Sequence, residues 1–243
     1  MDEDLLSLLL VVRDASDWRA ATSPGQVALR HLVALVQSGE ARDFEYGAEA
    51  LGALCGALHS VALAPVAAAA AGLLPSAGAA PADVRRLMCF VFNGIVALPE
   101  VSPAAGAAAM PDVALRELVT ALAAAQPSEV VQLRTLLHWV YTYDERRRPV
   151  VRRLLGETLA AFLVGAALVV AHGQQLTSSW WSQHAPTNMP GIGSILEVLA
   201  CIIRGFRVPL SASARGLLDG SLLPLHAVNA MVTDTMPVLQ VYL

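Results

Sequence analysis

Apolar residues recur along this chain in steps of three and four, the period of helices packed on one side. Leu5 to Val12 is a first apolar run. Val27, Leu29, Leu32, Leu35 and Val36, with His31 among them, predict a second helix. Ser23-Pro24 starts it, because a serine side chain caps free N–H groups and a proline at the first helical position needs no partner. Ser38-Gly39 ends it. Tyr46 to Leu63 predicts a third helix, broken by Pro65. Val66 to Leu74 predicts a fourth. Leu87, Phe90, Val91, Gly94 and Ile95 share one side of a helix over Asp83 to Leu98, and Pro99 to Gly106 reads as a loop. Pro111-Asp112 and Pro127-Ser128 open two more helices, the latter running to about Tyr143. Pro149 begins another, with Val151, Leu155, Leu159, Phe162, Ala166 and Val169 on one face. Ile192, Ile195, Leu196, Leu199, Ile202, Ile203 and Phe206 form a wide apolar face on a helix that Gly205 and Pro209 close. Ser211 or Ser213 then caps an antiparallel partner, and a last helix starts near Met236.

Helix pairs joined by short turns thus recur roughly every 35 to 45 residues, as in HEAT-like repeats. The expected fold is all-α: an α-solenoid, or superhelix, of about five HEAT-like antiparallel helix pairs. It reads as a single domain over residues 1–243, with a flexible loop at 75–81 and a polar insertion at 173–193. The loop, Pro-Ser-Ala-Gly-Ala-Ala-Pro, is small and structureless by composition. The insertion has no period, and Trp180 and Trp181 within it either pack it down or mark a contact surface.

Composition narrows the function. The chain has 243 residues, of which 56% are hydrophobic and 15% charged, with a mean hydropathy of +0.55. Such hydropathy raises a membrane-associated reading. The longest apolar run, Leu159 to Ala171, is closed by Arg152, Arg153 and Glu157 on one side and His172 on the other. It falls short of the roughly 20 residues a span needs, so a buried helix and no membrane partner are expected. A net charge of −4 argues against nonspecific nucleic-acid binding. Cys55, Cys89 and Cys201 lie far apart in apolar helical runs and read as buried, reduced thiols. The acidic start Met-Asp-Glu-Asp is unlike a secretory leader. The six histidines form no metal-ligand spacing, and no phosphate-binding loop, HExxH, GxSxG or GxGxxG is present. The expectation is a regulatory or scaffolding protein, not an enzyme, with no metal and no cofactor.

One polar constellation stands out. Arg134, His138, Tyr141 and Glu145 fall at i, i+4, i+7 and i+11, a narrow stripe beside the core positions Leu133, Leu136, Leu137 and Val140. Arg146, Arg147, Arg148, Arg152 and Arg153 follow. Guanidinium groups at this density suit an acidic or phosphorylated peptide. They equally describe a solvated basic face at a helix junction, and the residues alone leave both readings open.

Two strings add a resemblance. Ile202-Ile203-Arg204-Gly205-Phe206-Arg207-Val208-Pro209-Leu210, followed by Leu222-Leu223-Pro224-Leu225-His226, resembles the B56 (B-prime) family of regulatory subunits of protein phosphatase 2A. Leu133-Arg134-Thr135-Leu136-Leu137-His138-Trp139-Val140-Tyr141, with Arg148 and Val151-Arg152, is similar to a second segment of that family. The resemblance implies a divergent member covering the N-terminal half to two-thirds of the family fold. It implies signal-transduction partners, the phosphatase scaffold and catalytic subunits, and a cytoplasmic or nuclear location. It also implies recruitment of substrates through short linear peptides of the Leu-x-x-Ile-x-Glu type in an inter-repeat groove. By position, His138, Tyr141, Arg148, Glu197, Val198 and Ile202 match the groove's peptide-binding residues, and Arg134, Trp139 and Arg152 stand as further candidates. Val198 and Ile202, four residues apart, would receive the peptide's isoleucine. Three departures accompany the match. Trp139 replaces an arginine of the family, and Ser211 and Ala214 replace a lysine and a histidine that hold the peptide's acidic end. Each lost charged hydrogen bond is expected to cost about 1.5–3 kcal/mol. A divergent HEAT-repeat adaptor that binds other protein partners without the phosphatase is the alternative.

Overall fold

The computed structural model of the chain describes residues 5–70, 80–125, 127–171, 191–204 and 215–216. Every regular element among them is helical, so the protein is all-α. Backbone contacts divide the chain into two compact units. One comprises Met1–Ala121 with Val131–Asp144, and the other Leu122–Val130 with Glu145–Leu243.

In the first unit, α1 (Leu5–Asp14) packs on α2 (Pro24–Ser38) and α3 (Ala48–Leu58). Leu5, Leu8, Leu9 and Val12 of α1 are buried with Ala28, Leu29, Leu32 and Leu35 of α2. The expected cap is present: Ser23 Oγ accepts a hydrogen bond from the Gln26 N–H at 3.4 Å, with Pro24 next in the helix. Gly39, at φ +83°, ends α2 in the left-handed conformation that favours glycine. A 3₁₀ turn over Glu40–Asp43 leads on towards α3.

Pro65 does not break the third helix. After Leu58 the backbone widens into a π turn, His59–Leu63, and continues without a gap as α4 (Ala64–Ala70). The Ala64 N–H donates to the His59 carbonyl, five residues back. In a regular α-helix the Pro65 ring would meet the carbonyl four residues before it. The wider turn directly ahead of the proline relaxes that conflict. The stretch Ala48–Ala69 is long and apolar enough to cross a membrane by composition, but 56% of its apolar window is buried inside the fold.

Then come α5 (Ala82–Val96), α6 (Pro103–Ala109), α7 (Asp112–Ala124) and α8 (Pro127–Tyr143). The α6 helix replaces the loop expected over Pro99 to Gly106. Ser102 Oγ accepts from the Ala105 N–H and Pro103 opens the helix, the same start as at Ser23-Pro24. The α5 helix packs on α2, where Gly94 lies against Val36 so closely that no side chain fits between them. It meets α8 through Asn93, whose Nδ2 donates to the Gln132 carbonyl at 3.4 Å.

In the second unit, a 3₁₀ turn at Glu145–Arg147 precedes α9 (Arg148–Ala171), which packs on α10 (Ile192–Arg204). Val151, Leu154, Leu155, Leu159 and Phe162 of α9 are buried, as are Ile192, Ile195, Leu196, Val198, Leu199, Ile202 and Ile203 of α10. Gly191, just before α10, donates its N–H to the Ala123 carbonyl at 3.0 Å. A Cβ there would collide with the Leu122 carbonyl, so glycine is required by close approach. Cys55 and Cys89 are buried as expected, whereas Cys201 is exposed on α10. Residues 75–79, 173–190 and 236–243, together with Pro209, Ser211, Ala214 and Leu222–His226, lie outside the described residues.

Candidate functional site

The candidate residues fall into one group in each unit. On α8 the sequence dictates the orientation. Leu133, Leu136, Leu137 and Val140 are buried, at 4% exposure or less, and turn the opposite side outward. Ser128, Val131, Thr135, His138 and Thr142 form that outer stripe, with Arg134 and Tyr141 half-buried along its border. His138 is thus exposed, one turn from Arg134 and close to one turn from Tyr141. Glu145 is not part of the stripe, because α8 ends at Tyr143 and Glu145 belongs to the following turn.

Trp139 points elsewhere. Its ring meets Phe92 of α5 edge-to-face, with centroids 5.8 Å apart, and lies 6.2 Å from the Tyr143 ring. It also covers Gly106 of α6: a Cβ on that glycine would stand 2.9 Å from the Trp139 ring atom Cη2. The indole Nε1 is buried with no acceptor among the described residues. Trp139 is therefore chiefly a packing residue.

The second group begins with the arginine-rich turn. Arg148, at the start of α9, pairs with Glu145 at 3.1 Å. Arg153 pairs with Glu157 one turn on, at 2.8 Å. Arg146 is exposed, and Arg147 and Arg152 are half-buried. Cations at a helix N-terminus oppose the helix dipole by about 0.3–1 kcal/mol each, so an approaching anion is favoured there twice over, by charge and by dipole. On α10 the three candidates differ. Glu197 is exposed, but Val198 and Ile202 are 2% and 3% exposed and belong to the apolar face with Ile195 and Leu199. Their four-residue spacing does place them on one face, and that face is covered.

One pair escaped the sequence reading. His59 Nε2 lies 2.7 Å from Glu117 Oε2, linking the π turn to α7, with both side chains largely buried. Residues 58 apart in sequence carry no local signal for such a contact. Phe90, expected on one apolar side with Val91 and Ile95, is exposed, as is Val131, because helical spacing assigns a residue to a face without showing what covers it.

The described residues thus form an all-α protein with exposed polar side chains along α8 in one unit and an arginine-rich turn before α9 in the other. A model of the family described as protein phosphatase 2A regulatory B subunit (B56 family) matches residues 89–235, more than half of the 243, and the chain belongs to that family. The matched region contains α8, the arginine-rich turn, α10 and both motif strings. The family is one of regulatory subunits. No curated protein matches the chain significantly.

Proposed function

We propose that this chain is a regulatory (B-type) subunit of protein phosphatase 2A. It binds the scaffold and catalytic subunits and recruits substrates to them, and it catalyses no reaction itself. Substrates dock through short linear peptides of the Leu-x-x-Ile-x-Glu type, contacted by His138, Tyr141, Arg148 and Glu197, while Val198 and Ile202, which match peptide-binding positions of the family, line the covered apolar face of α10. The helix pairs stack as a HEAT-like α-solenoid, and the protein works in the cytoplasm or nucleus. The observation that carries this reading is the family match over residues 89–235, which includes every one of these positions. The local electrostatics support it. Arg148 pairs with the surface carboxylate Glu145, and such exposed pairs contribute only about 0–1 kcal/mol, so an acidic peptide can compete with that carboxylate at little cost.

A second reading rests on Trp139. With its ring packed on Phe92 and Gly106, the position after His138 offers no cation to a peptide. A divergent adaptor that binds other partners without the phosphatase accommodates that change. Titration of a fluorescent Leu-x-x-Ile-x-Glu peptide separates the two. Micromolar binding lost in the His138→Ala, Arg148→Ala double variant supports substrate recruitment. No binding by the folded protein favours the adaptor.

A further inference from the structure

No further inference is drawn: the strongest candidate, the largely buried His59–Glu117 pair that joins the π turn to α7, is a contact between packed helices, and nothing among the described residues shows a ligand, a partner or a second arrangement that it serves.

Discussion

Gly106 and Trp139 should behave as one energetic unit. A Cβ on Gly106 would lie 2.9 Å from Cη2 and 3.1 Å from Cζ2 of the Trp139 ring, closer than packed carbons tolerate. The ring is held by Phe92 at 5.8 Å and cannot simply swing away. Gly106→Ala therefore forces a shift of α6 or of the indole, an overpacking cost of about 1–3 kcal/mol. Against that, alanine in a helix is favoured over glycine by about 0.5–1 kcal/mol. The net expectation is a loss of about 1 kcal/mol. Trp139→Phe removes the ring atoms that meet Gly106. It also removes a buried N–H that has no acceptor among the described residues, so it costs less than the about 3–5 kcal/mol of a full aromatic deletion. In the Trp139→Phe background, Gly106→Ala fills vacated space and should become neutral or stabilising. The double variant should thus be more stable than the sum of the singles by about 1–2 kcal/mol, within the range seen for touching residues. Urea denaturation followed by circular dichroism measures all four proteins. Additivity within about 0.3 kcal/mol would refute the packing of Trp139 over Gly106.

Three further expectations follow from other contacts. Removing the carboxylate that occupies Arg148, by Glu145→Gln, should tighten binding of an acidic motif peptide about two- to fivefold, the equivalent of one exposed ion pair, as read by fluorescence anisotropy. Gly191→Ala places a methyl group against the Leu122 carbonyl and should destabilise the second unit by about 1–3 kcal/mol, with faster amide exchange in α10 than in α1. Tyr46 donates its hydroxyl hydrogen to the Ala41 carbonyl at 2.6 Å, and burial first, with the nearby Glu100 carboxylate second, pushes its pKa up to about 12. The unfolded chain then ionises near pH 10 while the folded one stays protonated. Stability from this residue is complete below about pH 10 and declines as the pH rises towards 12. Because the side chain is only half-buried, the loss is of the order of 1 kcal/mol after solvent screening. Tyr46→Phe should remove that alkaline slope while costing about 1 kcal/mol at neutral pH for the lost hydrogen bond.

What could be read from the sequence divides by range. Local rules succeeded where one residue controls a backbone group. Ser23 capping α2 and Gly39 closing it are both where their chemistry put them. The same rule would have found α6 from Ser102-Pro103, but the alanines and glycine that follow carry no hydrophobic period, and the helix was read as a loop. Pro65 was misjudged because a proline conflict can be relaxed by widening the preceding turn as well as by ending the helix. On α8 the division into buried leucines and a polar stripe was legible from periodicity alone. That the further candidate Trp139 packs inward was not, because its partners Phe92 and Gly106 lie 47 and 33 residues away in sequence. Val198 and Ile202 show the same limit from the other side: their spacing fixes a common face, and the burial of that face depends on tertiary contacts that spacing does not encode.

Reconstitution decides whether this chain works as a regulatory subunit of protein phosphatase 2A. Purified chain would be mixed with the purified scaffold and catalytic subunits and followed by size-exclusion chromatography with mass determination. A stoichiometric three-component complex is expected, formed equally well by the His138→Ala, Arg148→Ala variant, since the role proposed for those residues is in binding substrates and not in assembly. A folded chain that elutes alone in the presence of both subunits would contradict it, and would leave a family member whose helices serve partners other than the phosphatase.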